Sequence, residues 1–195
     1  TRLVALAHIA NSIGTLNPIR EMITEAHQVG ACVLIDGAQS ASHLSINVQD
    51  LDADFFVCSG HKLYGPTGIG VLYGKKTILE QMPPYQGGGD MVDIVYEQTS
   101  TYQPLPLKFE AGTPLIAEVI GLGAAIDYLQ ACKAEEIAVH EMQLVDLTLK
   151  KLGEIEGVRW MGKPKKRGAI VSFLLDRVHP LDLAMYLDFH RIAVR

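Results

Sequence analysis

Paired cysteines, like-charge blocks and long apolar runs are all missing from this 195-residue sequence. Its three cysteines, Cys32, Cys58 and Cys132, are odd in number, far apart and without CxxC spacing, which argues against a disulfide framework and against a zinc site. Cys32 and Cys58 lie inside apolar runs, where a thiol behaves as a small hydrophobe. All three are expected to be packing residues, and no metal is expected. No uninterrupted apolar run reaches the roughly 18 residues of a membrane span, and no charged-then-apolar leader is visible. The expected location is therefore the cytoplasm, with no membrane partner. The net charge is −5, and the one basic cluster, Lys163 to Arg167 (KPKKR), is broken by proline and followed by glycine. It reads as a solvated turn, so no nucleic-acid partner is expected.

What is present is a globular composition, 48% hydrophobic, in a chain long enough to bury a core. The chain begins without Met, already in a buried-strand pattern (TRLVALAHI), and ends directly after the apolar IAV. Domain boundaries usually fall in polar linkers, so the sequence is expected to be a piece of a longer polypeptide.

Leu3 to Ile9 is a continuous apolar run, and Asn17-Pro18 supplies an N-cap and a first-turn proline for a helix that Gly30 closes. Ala31 to Ile35 and Phe55 to Cys58 are further short apolar runs. The order strand, helix, strand, connection, strand is that of a mostly parallel sheet. Ile69 to Tyr73 follows the GPTG turn too closely for a helical crossover, so it is expected to run antiparallel or to lie elsewhere in the sheet. Met82 to Leu107 reads as one long Pro/Gly-rich connector, of a length that usually covers something. Helices are expected over about Leu115 to Ala131, Glu135 to Leu152 and Pro180 to His190. Strands are expected at Ala169 to Leu175 and Ile192 to Val194, with Gly157 to Arg167 breaking the pattern.

In open α/β sheets, ligands bind beyond the carboxyl ends of the strands. Three such ends carry polar groups here: His8 to Ser12, Asp36, and the Ser59-Gly60-His61-Lys62 that closes FFVCSGHK. A lysine and a carboxylate in that position form either a structural ion pair or a Schiff-base site whose carboxylate serves a cofactor. Lysine suits the second role because desolvation readily frees its amine for attack on a carbonyl. The remaining histidines, His27, His43, His140, His179 and His190, read as surface or packing residues.

The run Asp36-Gly-Ala-Gln39, then Ser59-Gly-His61-Lys62, then Gly65-Pro-Thr-Gly68-Ile-Gly resembles the pyridoxal-phosphate (PLP) segment of the class V aminotransferases. PPYQGGGDM at Pro83 to Met91, FEAGTP at Phe109 to Pro114 and the terminal IAVR are similar to SUF-type cysteine desulfurases and selenocysteine lyases. The resemblance covers essentially the whole chain. It implies an α/β, type I PLP-dependent transferase fold. Residues 1–130 would be the C-terminal part of the cofactor-binding large domain, with a mostly parallel sheet, and residues 131–195 part of a small α+β domain.

It also implies roles. Lys62 would hold PLP as a Schiff base and then move protons at the substrate α-carbon. Asp36 would keep the pyridine nitrogen protonated. Gln39 would hydrogen-bond the phenolic oxygen, and Ser59 and His61 would hold the phosphate; otherwise Ser59 is a turn former and His61 a loop residue. Thr113 would reach the phosphate of a neighbouring subunit in a homodimer, or else cap a helix before Pro114. Asn11, otherwise a turn residue, and Arg195, through its guanidinium fork, would bind the substrate carboxylate.

The implied reaction converts L-cysteine to L-alanine, with the sulfur leaving as a persulfide toward an acceptor protein and iron-sulfur cluster assembly. The family's sulfur-carrying cysteine lies just beyond IAVR, and none of the three cysteines here matches its position. The 195 residues alone are therefore expected to be inactive. Selenocysteine lyase, kynureninase, aminotransferase and epimerase chemistries remain as alternatives on the same fold. A non-catalytic α/β binding module remains outside it, with Gly87 to Gly89 as a weak anion-loop candidate that lacks the GK[ST] ending of a phosphate loop.

Overall fold

The computed structural model describes residues 1–195, apart from the side chain of Ala134. The first apolar run forms β1 (Leu3–Ala7), followed by α1 (Ile19–Gln28). Ile19, Ile23 and Ala26 recur at i, i+4 and i+7, so one stripe of α1 is buried against the sheet. Pro18 is its N-cap residue. Asn17 does not cap as the sequence suggested. Its Nδ2 donates instead to the carbonyl of Ala7 at 2.7 Å, fastening the helix entry to the end of β1.

β2 (Cys32–Asp36), the single-turn α2 (Val48–Leu51), β3 (Phe55–Ser59) and β4 (Gly70–Gly74) complete a four-stranded sheet of order β1-β2-β3-β4. β1, β2 and β3 are parallel, and β4 is antiparallel to β3. The segment between β3 and β4 is too short for a helical crossover, so a reversal is the accessible connection. Val33 and Ile35 are fully buried with Ile23 and Phe56, while their neighbours Cys32 and Leu34 on the opposite face are only half-buried.

After α3 (Lys76–Gln81) the supposed connector contains a hairpin of β5 (Val92–Val95) and β6 (Ser100–Tyr102). Only Val92↔Tyr102 and Val95↔Ser100 pair, with an irregularity between them, which is why no alternating pattern marked it. Fully buried Met91 anchors the hairpin, and its carbonyl accepts from Gln103 N at 2.8 Å. Two helices follow, α4 (Ile116–Ala131) and α5 (Ala134–Gly153).

β7 (Val158–Trp160) then pairs antiparallel with β8 (Phe173–Leu175), and α6 (Pro180–Phe189) starts on His179, whose Nδ1 accepts from Leu181 N at 3.2 Å. Three expectations are corrected here. A strand lies inside Gly157 to Arg167, the strand expected over Ala169 to Leu175 shrinks to its last three residues, and Ile192 to Val194 is not a strand. Its place is taken by a helix-closing contact: Ile192 N donates to Leu187 O at 2.9 Å, drawing the segment back onto α6. The three cysteines are free and only half-buried. No described helix is long and apolar enough to cross a membrane.

At the amino-terminal end of β3 an ion network joins α1, β2 and β4. Asp54, 5% exposed, accepts from Val33 N at 2.7 Å, His27 Nε2 at 2.8 Å and Lys75 Nζ at 2.8 Å; Lys75 also pairs with Asp52 at 2.6 Å. Burial alone would raise the Asp54 carboxyl, but the Lys75, His27 and Val33 hydrogen bonds and the Lys75 charge outweigh it and hold it below its usual range. A depressed carboxyl contributes stability above its unfolded value of about 4 and loses it as pH falls through the lower folded value. Asp54→Ala is expected to cost about 3 kcal/mol, because it leaves the buried Val33 amide without its acceptor and takes from Lys75 and His27 the carboxylate they share. Denaturant titrations of the full-length protein at pH 7 and pH 3 check this: the gap between variant and wild type should narrow at the lower pH, and equal stability at pH 7 would refute it.

Candidate active site

Parallel pairing brings the carboxyl ends of β1, β2 and β3 to one edge of the sheet. The edge is closed by backbone bonds that continue the ladder: His8 N donates to Asp36 O at 2.9 Å, and Gly37 N to Val57 O at 2.8 Å. Two glycines allow the turns to lie tightly there. A Cβ on Gly37 would run into the Phe56 ring, and one on Gly60 would meet Ile69 Cγ2 at 2.8 Å and Ile69 O at 3.0 Å. Gly60 N accordingly donates to Ile69 O at 2.8 Å, folding the GPTG loop back onto the end of β3.

On this edge Asp36 faces solvent, its Oδ1 accepting from Ala38 N at 2.9 Å. Its other carboxylate oxygen has no hydrogen bond among the described residues. Asp36 is in register with Val57, so Ser59 lies two residues beyond it on the adjacent strand. A single 3-10 turn, Gly60–Lys62, then carries His61 and Lys62 over the same edge. Ser59 and Lys62 are half-buried and His61 is exposed. Lys62 has neither a hydrogen bond nor an ion pair among the described residues, which excludes the structural ion-pair reading of this lysine and Asp36. Gln39 Nε2 donates to Asn11 Oδ1 at 3.0 Å, joining the turn after β2 to the loop after β1.

Asn11 and Arg195 line one cleft of about 900 Å³ between the loop after β1 and the β8–α6 unit, with Ser12, Ile170, His179 and Leu183 in its wall. The two residues expected to bind a carboxylate thus share a cavity. Thr113 is exposed. It is not a helix cap, because α4 begins at Ile116 with Leu115 as its N-cap. α4 itself packs on the loop that follows Lys62: a Cβ on Gly121 would lie 3.0 Å from the Pro66 ring.

Sequence reasoning gave no role to one contact at this edge. His8 Nδ1 lies 3.0 Å from Ser40 Oγ, with His8 8% exposed and Ser40 fully buried. The pair spans 32 positions; the available signals were a histidine closing an apolar run and a serine directly after Gln39. Burial pushes the His8 imidazole below its usual range, which favours the neutral ring. Burial also pushes the Cys58 thiol up, against a weaker opposing hydrogen bond to the Val71 backbone, which leaves it a poor nucleophile.

The family model described as Aminotransferase class-V matches residues 1–195. The chain is 52% identical to a probable cysteine desulfurase of Halalkalibacterium halodurans, over 100% of this chain and 48% of that protein. Among solved structures, the cysteine desulfurase CsdA of Escherichia coli superposes with a TM-score of 0.94 at 41% identity, covering 100% of this chain and 48% of that one. The apo cysteine desulfurase of Thermococcus onnurineus NA1 gives 0.95 at 39% identity, covering 100% and 49%. The chain spans about half the length of the curated relatives it matches.

Proposed function

Since the chain belongs to the class V aminotransferase family, we propose that it carries the cofactor-binding lysine of a PLP-dependent cysteine desulfurase. The observation that carries this reading is Lys62, an amine without a partner among the described residues, at the exit of β3, one strand from a carboxylate with an oxygen free for a ligand. The donor set fits PLP. An amine suits the aldehyde, an anionic carboxylate the pyridinium nitrogen, an amide the phenolic oxygen, and a hydroxyl with an imidazole the phosphate.

When bound, the cofactor supplies an electron sink for the substrate α-carbon. Lys62 would take and return the proton there. Asp36 would hold a proton on the ring nitrogen by its negative charge. Gln39 would hold the phenolic oxygen, Ser59 and His61 would hold the phosphate, and Thr113 would reach the phosphate of a second subunit. Asn11 and Arg195 receive the substrate carboxylate in the cleft they share.

The net change is L-cysteine plus an enzyme thiol giving L-alanine plus an enzyme persulfide. The thiol belongs to a cysteine outside these 195 residues, and the persulfide sulfur passes to an acceptor protein for iron-sulfur cluster assembly in the cytoplasm. L-selenocysteine is the alternative substrate. Residues 1–130 belong to the cofactor domain and 131–195 to a smaller α+β domain. Homodimerisation belongs to the same reading.

The test uses the full-length protein with PLP, L-cysteine and a reductant. Sulfide and alanine are expected in equal amounts, from a species sedimenting at twice the chain mass. Alanine without sulfide, or neither product, would reject the reading.

A further inference from the structure

We propose that His8 and Ser40 are a positioning pair that sets the cofactor-facing turn after β2, an inference that rests on the roles of Asp36 and Gln39 given above. Past His8 and Asp36 the strand ladder ends, and the two chains part into the loop bearing Asn11 and the turn bearing Gln39. Two side-chain bonds cross that gap. One, Gln39 Nε2 to Asn11 Oδ1, is exposed and competes with water. The other, His8 to Ser40, is buried and does not.

The polarity of the pair is assigned from the second contact of the hydroxyl. Ser40 Oγ donates to Gly37 O at 3.3 Å, so its lone pair faces the ring, and His8 Nδ1 is assigned as the donor to it. Ser40 N also donates to Gly37 O, at 2.9 Å, so the hydroxyl and the amide of one residue close the same turn. Within that turn Ala38 N holds Asp36 Oδ1, and Gln39 is the residue next to Ser40. On the other side of the gap, His8 O accepts from Asn17 N at 2.9 Å, which ties the ring's own backbone to the start of α1. His8 is therefore fixed by α1 and β2, and through Ser40 it transmits that fixity to the carboxylate and amide that meet the cofactor ring. Neither residue touches the cofactor in this account. Loss of the pair should loosen the orientation of Asp36 and Gln39 while leaving both residues present.

The experiment compares Ser40→Ala, His8→Ala and His8→Asn in the full-length protein. Ser40→Ala removes one oxygen in place and is the primary variant. Its affinity for PLP, titrated on the cofactor-free protein, should fall about tenfold, and the visible absorbance maximum of the bound cofactor should shift. Backbone amides of residues 37 to 41 should exchange hydrogen faster, and those of residues 32 to 34 should not. His8→Asn, whose amide can donate from near the Nδ1 position, should return the affinity to within about twofold, whereas His8→Ala should not. Unchanged affinity and absorbance in Ser40→Ala would overturn the positioning role alone. A wild-type protein that binds no PLP would overturn the cofactor reading and this role with it.

Discussion

Replacing Lys62 with alanine in the full-length protein is expected to remove the visible absorbance of bound PLP and to lower turnover by roughly 10⁴-fold or more. One residue would then be missing both as the covalent attachment point and as the proton carrier. Lys75, the next lysine along the chain, cannot substitute. Lys75 is committed to Asp52 and Asp54 at the opposite end of the sheet, and burial there, which alone would lower its pKa, is outweighed by those two carboxylates, which hold it charged. Because Lys62 is half-buried and has no partner among the described residues, the substitution should change stability by no more than about 0.5 kcal/mol. Chemistry and folding are therefore separable at this position. Lys62→Arg should be equally inactive, since a guanidinium does not lose its proton near neutral pH. A borohydride-reducible adduct that persists in Lys62→Ala would show that another amine carries the cofactor.

Asp36→Asn is expected to leave PLP bound but to slow turnover by roughly 10²- to 10³-fold. The substitution is nearly isosteric and keeps an oxygen that can accept from Ala38 N, so the turn should survive. Only the charge is lost. Asp36 is exposed in these 195 residues; with a ring covering it, its charge would act in a drier, lower-dielectric setting. Its effect should therefore appear in the chemical step rather than in stability. Wild-type turnover by Asp36→Asn would show that the ring nitrogen does not depend on this residue.

The large sheet was legible because its buried strands are written as uninterrupted apolar runs, and α1 because its stripe recurs at helical spacing. The antiparallel β4 is one of the two placements that the length of one loop left open. The β5–β6 hairpin was not legible: its four- and three-residue strands pair at two positions, too few to impose alternation. β7 was hidden for a similar reason, since a three-residue strand next to Gly157 and Gly162 carries almost no periodic signal. Ile192 to Val194 had the composition of a strand, but composition supplies no partner, and a helix-end hydrogen bond claimed the backbone instead. At the candidate site, residue types at strand exits pointed to one edge of the sheet, and parallel pairing brings those strand ends together there. The buried tie between His8 and Ser40 was invisible because it depends on two parallel strands being neighbours, and no local pattern records that.

The ion network around Asp54 has a consequence for engineering. It and the reactive edge sit at opposite ends of the same strand, since Asp54 immediately precedes Phe55 and the strand ends at Ser59. Five residues of strand separate them by roughly 16 Å, well beyond the range of about 10 Å within which substitutions usually interfere with one another. Heat tolerance and reactivity can thus be tuned as independent traits. A library restricted to His27, Asp52 and Lys75 should select for durability without retuning the chemistry, and its gains should add to those of any separately evolved active-site variant.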